Sequence, residues 1–370
     1  MDEKTTILVT GVGNYWGAQV AARLLNSPGL ARNDGQPALE NAHVIGLDAK
    51  PPGIEINGLD FIQADVRNPL LSEVLKSEQV DFVCHLAYSD REKSSETAFD
   101  INVMSTMKLL GACAEAGIRK VVLRSSTAVY GARPGNPAFL TETHLLHGKE
   151  SQGETRNLAE IETFCSGYHR QVPEIGLTIL RFASIIGPTA DTNMTRYLKQ
   201  PYVPVLLGFN PLMQVIHERD VVDALVYALV NEVPGVFNVA AEGSPPLTKL
   251  IALAGKSTLP VLHWFAYWGN SLSNRQHALQ SAWPIEPDYL RYTWVADLTR
   301  MREEMRFIPQ YTAEEALREF ASQQRQGKYM SEETAKALDE ERLRDILERR
   351  RRMREQRVVS SDESNEGIVP

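Results

Sequence analysis

Residues 6–17 read TILVTGVGNYWG, an apolar run that leads directly into a turn containing several glycines. The run predicts a buried β-strand, and GAQVAARLL at 17–25 carries apolar positions at helical spacing. A strand, a glycine turn and a helix in this order are typical of a dinucleotide-binding unit. Gly11 allows the tight turn, Gly13 lets the backbone approach a pyrophosphate, and Gly17 lets the helix pack closely.

Apolar strands alternate with helical patterns through the rest of the first half. The predicted strands cover 43–48, 59–65, 80–87, 119–126 and 177–184, and a predicted helix covers 98–117 and ends on Gly117. Continuous Val, Ile and Leu strands between helices indicate a parallel sheet that is covered on both faces. The predicted fold class is therefore α/β, a Rossmann-type doubly wound sheet whose ligands lie at the carboxyl ends of the strands.

The composition of the sequence changes after Pro188 and again after residue 325. We predict a Rossmann domain at 1–187, a smaller substrate-binding lobe at 188–325 with strand and helix returns to the main domain, and a charged helix with a tail at 326–370. Within the lobe, LPVLHWFAYWGNSL (259–272) collects aromatic residues. Core or lobe interface is the favoured interpretation, and a substrate wall, a dimer contact or a membrane-facing patch are the alternatives.

Composition excludes several classes of function. The 370 residues are 43% hydrophobic with a net charge of −8, which gives no general attraction to nucleic acid. Three cysteines are few and not spaced as metal ligands, so we expect buried thiols and no metal. The acidic N-terminus does not resemble a signal peptide, and no apolar run approaches the length of a membrane span. The expected location is the cytoplasm.

Two aspartates at strand ends suit a dinucleotide. Asp48 ends the second strand, where a carboxylate accepts both hydroxyls of an adenosine ribose and repels a 2′-phosphate. This favours NAD over NADP, although the nearby Lys50 weakens the preference. Asp65 ends the third strand and either contacts the adenine amino group or caps the next helix.

An ordered series of motifs resembles one family. The motifs are TGVGNYWG (10–17), Asp48, ADVRNP (64–69), HLA (85–87), Asn102, SSTAVYG (125–131), LRFASIIGP (180–188) and IHERDVVDAL (216–225). Over residues 5–320 the chain is similar to the extended branch of the short-chain dehydrogenase/reductase superfamily, also called the NAD-dependent epimerase/dehydratase family.

This resemblance implies NAD as the cofactor and hydride transfer at a hydroxyl-bearing carbon of a small substrate such as a sugar nucleotide. It also implies a homodimer formed through AFDINVMSTMKLL (98–110) and NLAEIETFC (157–165). Ser126 or Thr127 would orient the substrate hydroxyl. The cofactor-binding residues implied by the resemblance, with their neighbours, are Thr10, Gly11, Gly13, Asn14, Tyr15, Trp16, Gly17, Asp48, Asp65, Val66, Leu86, Ala87, Asn102, Arg156 and Asn157.

The sequence departs from the family pattern at two places. Asn14 replaces the middle glycine of the turn, and because Asn tolerates positive φ we expect the turn still to form, with the Asn14 amide against the phosphate. The family's YxxxK pair, in which Tyr is the acid/base and Lys lowers its pKa, is replaced by Gly153 and Asn157. Neither residue can perform that chemistry.

Other residues are weaker candidates for proton transfer. Tyr88 follows HLA near the expected nicotinamide position, and Arg156 is a candidate to bind ribose or phosphate. His144, His147, Lys149 and Glu150 lie on the loop before the altered helix. A packed aromatic or a solvated loop is the simpler interpretation for these.

Three functional hypotheses follow. The first is an NAD-binding oxidoreductase of the epimerase/dehydratase type with altered acid/base residues. The second is a catalytically inactive NAD-sensing or scaffold protein whose tail, 331–370, recruits a partner. The third is a membrane-associated dehydrogenase of a lipid-like substrate, based on the apolar stretches near 201–216 and 259–268.

Overall fold

A central parallel sheet organises the protein. The computed structural model describes residues 5–26, 42–88, 95–151, 153–264, 266, 284–329 and 344. The strands are β1 (Thr6–Thr10), β2 (His43–Asp48), β3 (Asp60–Gln63), β4 (Phe82–His85), β5 (Lys120–Ser126), β6 (Gly176–Phe182), β7 (Ser184–Ile186), β8 (Tyr202–Leu206), β9 (Val215–His217), β10 (Gly235–Val239) and β11 (Ser257–Val261).

Helices connect these strands. They are α1 (Tyr15–Leu25), α2 (Leu71–Ser77), α3 (Ser95–Phe99), α4 (Ser105–Ala116), α5 (Gly153–Gln171), α6 (Asn193–Lys199), α7 (Glu218–Val230), α8 (Leu247–Leu253), α9 (Thr299–Glu303) and α10 (Ala313–Tyr329). A π-helical turn, Asp100–Met104, joins α3 to α4. Short 3₁₀ helices cover Thr127–Tyr130, Gly148–Glu150 and Pro287–Leu290.

Seven strands form the main sheet in the order β10-β6-β5-β4-β1-β2-β3, and every pair is parallel. Read from the other edge, the six strands β3-β2-β1-β4-β5-β6 reproduce the doubly wound Rossmann order. The predicted fold class is therefore confirmed, and the predicted strands match within a few residues at each end. Gly117 ends α4 with φ 71°, as the C-terminal glycine of a helix should.

Apolar clusters cover both faces of this sheet. Val9 and Val122 pack with α1 and α7 on one face, and Leu8 and Leu123 pack with α2, α4 and α5 on the other. Their alternation follows from the two-residue period of a strand. A third cluster lies under β8 and around Tyr197 and Phe320.

The C-terminal half contributes to the main sheet and also forms small sheets of its own. β10 pairs with β6, while β7 with β9 and β8 with β11 make two-stranded parallel sheets. Contacts divide the chain into two units, Met1–Phe320 and Ala321–Pro370. The predicted domain boundaries at 187/188 and 325/326 stay predictions. Residues 27–41 and most of the charged tail lie outside the described residues.

Cys84, Cys113 and Cys165 are free and buried, as predicted. Among the helices of the described segments, none combines the length and the apolar character that crossing a bilayer would require.

Candidate functional site

The glycine turn joins β1 to α1 at the carboxyl edge of the sheet. Gly11 adopts φ 78°, and a Cβ on it would lie 2.5 Å from the carbonyl carbon of Leu86. A Cβ on Gly17 would lie 2.2 Å from the carbonyl oxygen of Gly11. Only glycine fits at these two positions, so α1 begins directly against the turn. The first-turn N–H groups of a helix are the groups that bind phosphate oxygens.

Two details of the turn differ from the expectation. Asn14 has φ −99° rather than a positive value, precedes α1 as its N-cap residue, and donates from Nδ2 to the carbonyl oxygen of Tyr88 at 3.1 Å. Gly13 is close to Asp48 and Lys50, since its Cβ would lie 2.9 Å from the Asp48 Cγ and 2.8 Å from the Lys50 carbonyl oxygen. The Asn14 substitution is tolerated because it needs no left-handed backbone and gains a bond to the end of β4.

Asp48 is held by backbone groups at the end of β2. Oδ2 accepts from the Gly13 N–H at 3.0 Å, and Oδ1 accepts from the Lys50 N–H at 2.9 Å. These bonds fix the carboxylate beside the turn. A carboxylate in this position suits a ribose diol. Lys50 contributes its backbone to this arrangement.

Asp65 contacts Arg67, which neither the adenine interpretation nor the helix-cap interpretation predicts. Its carboxylate accepts from the backbone N–H and the guanidinium of Arg67, and Arg67 also contacts Asp100. This pairing with Arg67 lowers the pKa of Asp65. The next helix, α2, has Leu70 as its N-cap, so Asp65 does not cap it. Val66 beside it is buried, and its place in the cofactor site stays a prediction, as does the adenine role of Asp65.

The end of β4 forms a buried polar chain beneath the turn. The Thr10 hydroxyl lies 2.7 Å from Nδ1 of His85, and Nε2 of His85 lies 2.9 Å from the Thr106 hydroxyl, which bonds the Asn102 carbonyl oxygen at 2.6 Å. Burial lowers the pKa of His85 to about 3, so this histidine is neutral. Leu86 donates its N–H to the Thr10 hydroxyl. Asn102 is buried in the π-helical turn.

Tyr88 is unsuited to proton transfer. It is 6% exposed, its ring packs on that of His85 at 4.9 Å, and burial raises its pKa well above the ordinary value. A general acid or base needs reach to the substrate and a pKa near the working pH. Burial and ring packing therefore favour a packing role for Tyr88, and its catalytic role stays a prediction.

The two candidate hydroxyls at the end of β5 differ in exposure. Ser126 is half-buried, and its Oγ accepts from the Ala128 N–H at 3.1 Å, so its proton is available to donate. Thr127 is 1% exposed. Of the pair, Ser126 is the more exposed residue.

Helix α5 begins where the family's acid/base pair is expected. Gly153 has φ 59°, and a Cβ on it would meet no described atom within 4 Å. Asn157 is buried, and Arg156 is exposed. The position that corresponds to the tyrosine is therefore exposed, with no neighbouring side chain from the described residues.

The loop before α5 makes contacts of its own. Glu150 pairs with Arg133 at 2.6 Å, and Lys149 pairs with Glu160 at 3.3 Å. His147 also bonds Arg133, and the ring of His144 packs edge-on against Tyr130. These contacts favour a surface role for all four loop candidates.

An ion pair that sequence reasoning missed lies among these elements. Arg124 on β5 donates to Oε1 of Glu154 on α5 at 3.2 Å. The Arg124 side chain is 7% exposed and that of Glu154 is 26% exposed. The guanidinium lies 5.9 Å from the Trp16 ring and 5.7 Å from the Tyr88 ring. One sign was visible in the sequence, an arginine inside the apolar strand KVVLRSS.

Known proteins resemble this chain over most of its length. Residues 7–240 match the NAD-dependent epimerase/dehydratase family. An uncharacterized protein of Mycobacterium tuberculosis is 34% identical over 322 residues, which are 85% of this chain and 82% of that protein. The N-acetyl-alpha-D-glucosaminyl-diphospho-ditrans,octacis-undecaprenol 4-epimerase of Escherichia coli is 28% identical over 194 residues, or 50% of this chain and 57% of that enzyme.

The fold is also that of solved epimerases. The UDP-glucuronic acid 4-epimerase of Bacillus cereus, in complex with NAD, superposes with a TM-score of 0.64 at 20% identity, covering 88% of this chain and all of that one.

Proposed function

Because the chain belongs to the NAD-dependent epimerase/dehydratase family, we propose that it binds NAD and acts by hydride transfer on a sugar nucleotide or another hydroxyl-bearing substrate. One observation carries this proposal: the glycine turn holds Asp48 through the Gly13 N–H and leaves no room for a side chain at Gly11 or Gly17. Turn, helix start and carboxylate together fit a dinucleotide.

Different residues of the chain would bind the cofactor and orient the substrate. The first turn of α1 binds the pyrophosphate, and Asp48 accepts the hydroxyls of the adenosine ribose. Bound NAD supplies the hydride acceptor. Ser126 donates a hydrogen bond to the substrate hydroxyl and orients the reacting carbon. Oxidation of the substrate hydroxyl would send its hydride to NAD and its proton to solvent water, because Gly153 and Asn157 stand where the resemblance places the Tyr/Lys pair.

Calorimetric titration with NAD and with NADP tests the cofactor. We expect binding of NAD and much weaker binding of NADP, since Asp48 repels a 2′-phosphate. The NAD-loaded protein is then mixed with UDP-glucose or UDP-glucuronic acid while absorbance at 340 nm is followed. A rise supports hydride transfer. Absence of NAD binding would overturn the proposal, and NAD binding with a flat absorbance for every sugar nucleotide would favour the catalytically inactive NAD-sensing or scaffold protein.

A lipid-linked substrate is a second candidate, supported by exposed apolar side chains around the β8–β11 sheet. They are Tyr202, Leu207, Leu259, Leu262 and Trp264, each more than two-fifths exposed. The Escherichia coli relative acts on an undecaprenol-linked sugar by its name. Co-sedimentation with anionic liposomes should fall for Trp264→Ser and stay unchanged for Leu145→Ser, a control residue that is 72% exposed. Lack of any sedimentation would remove this candidate.

We also propose a homodimer through α4, α5 and the π-helical turn. Phe99 and Met104 are partly exposed apolar residues on this surface, 36% and 37% respectively. Sedimentation velocity should give a dimer for the wild type and a monomer for Met104→Glu. A monomeric wild type would contradict the proposal.

A further inference from the structure

Arg124 and Glu154 form a partly buried ion pair that the proposed reaction has not used. A buried guanidinium is costly unless a carboxylate and other polar groups compensate it. Here the compensating carboxylate comes from a helix that starts about thirty residues further along the chain. The pair therefore fixes the end of β5 to the start of α5.

The pair crosses the carboxyl edge of the sheet. Val122 faces α1, and Arg124, two residues on, leaves the strand from the same face. Its guanidinium lies within 6 Å of the ring centroids of Trp16 and Tyr88 and bonds Glu154 on α5, the helix of the opposite face. In doubly wound folds this edge is where ligands bind. Ser126, two residues further along β5, points the same way as Arg124.

Glu154 also lies at the exposed start of α5. It follows Gly153 and precedes the buried Asn157 by three residues, so Glu154 and Asn157 share one helix face. Its carboxylate is adjacent in sequence to the position of the absent tyrosine. The pair thus brings fixed charge to the place where the family's Tyr/Lys pair is missing.

The chemistry of the pair selects a class of ligand. An ionised carboxylate only accepts hydrogen bonds, and a guanidinium only donates them. Two neighbouring hydroxyls offer two protons to the first and two oxygens to the second.

We propose that Arg124 and Glu154 bind a vicinal diol in place of the missing Tyr/Lys pair, with Glu154 accepting from the hydroxyls and Arg124 holding Glu154 in position. This inference rests on the proposed function, since the diol belongs either to the nicotinamide ribose of NAD or to the sugar of the substrate.

Calorimetry on Glu154→Gln tests the proposal. ADP, which lacks the nicotinamide ribose, serves as the reference ligand, and Glu160→Gln on the same helix serves as the control variant because Glu160 pairs with Lys149 at the surface. If the diol is on the cofactor, Glu154→Gln should weaken NAD binding roughly ten- to a hundredfold, the effect of losing a charged hydrogen bond, and leave ADP binding unchanged. Glu160→Gln should change neither affinity, and Glu154→Asp should recover part of the loss.

A second titration separates the two sources of the diol. UDP-glucose is added to protein saturated with NAD, and a loss confined to this titration assigns the diol to the sugar. The proposal is overturned if Glu154→Gln matches Glu160→Gln in both titrations. It is also overturned if NAD and ADP weaken equally, because a purely structural pair would disturb both. A wild type that binds neither ligand refutes the proposed function instead.

Discussion

Gly17→Ala measures the close approach between α1 and the glycine turn. The added Cβ would lie 2.2 Å from the carbonyl oxygen and 2.4 Å from the carbonyl carbon of Gly11. Both are backbone atoms, so relief requires α1 or the turn to move. Such overpacking costs up to about 3 kcal/mol, and the better helix propensity of alanine returns about 1 kcal/mol. We expect the free energy of unfolding to fall by about 2 kcal/mol.

Gly111→Ala is the matched control. Gly111 lies in α4, is exposed, and its Cβ would meet no described atom within 4 Å. The same chemical change should therefore raise the free energy of unfolding by about 1 kcal/mol. The two variants should differ by about 3 kcal/mol in opposite directions from the wild type.

Urea unfolding followed by circular dichroism gives both values, and calorimetry with NAD gives the functional effect. Gly17→Ala should also weaken NAD binding, because the first turn of α1 moves with the glycine turn, whereas Gly111→Ala should bind as the wild type does. If Gly17→Ala proves as stable as Gly111→Ala and binds NAD equally well, the reasoning about this contact is refuted.

Further tests address single side chains. Asp48→Asn should weaken NAD binding roughly tenfold by calorimetry, because a charged acceptor is lost. It should also reduce the preference for NAD over NADP, and an unchanged preference would contradict the role of the Asp48 charge. Burial lowers the pKa of His85 from 6.5 to about 3, so its contribution to stability is complete above pH 6.5 and is lost as pH falls towards 3. His85→Gln should flatten that part of the urea-stability profile, and an unaltered slope would exclude His85 as its source. The Lys120 ammonium donates to the carbonyl oxygens of Ala228, Leu229 and Asn231 at the end of α7. Lys120→Met should therefore cost about 2–4 kcal/mol in urea unfolding, and a loss below about 1 kcal/mol would show that water replaces the ammonium.

The sheet could be predicted because a parallel strand must be apolar on both faces. TILVT and KVVLRSS contain the continuous apolar runs that only such a strand requires, and both lie in the main sheet. The glycine turn could be predicted for a similar reason, since Gly11 and Gly17 have no tolerated alternative in the structure.

The conformation of Asn14 was predicted wrongly because a residue type limits backbone angles without fixing them. Positive φ is accessible to Asn, yet the carbonyl oxygen of Tyr88 offers a hydrogen bond to the extended form. That partner is 74 residues away in the sequence. Local propensity carries no information about it.

The Arg124–Glu154 pair could not be predicted from the sequence for a related reason. Sequence alone shows an arginine in an apolar strand and a glutamate in the first turn of a helix. Their pairing depends on how β5 and α5 meet at the edge of the sheet, 30 residues apart along the chain. Tyr88 shows the reverse case, because its position near the site was foreseeable while its burial was set by packing on His85.

The placement of β10 at the edge of the main sheet has a consequence for synthesis on the ribosome. β6 ends at Phe182 and its outer neighbour begins only at Gly235. At ~5–20 residues per second, the intervening stretch of about fifty residues takes roughly 3–10 s to translate. Throughout that interval the nascent chain carries an apolar strand with an open row of N–H and C=O groups, the arrangement that invites pairing between chains. Chaperone capture of the nascent chain should therefore peak in the window between these two strands.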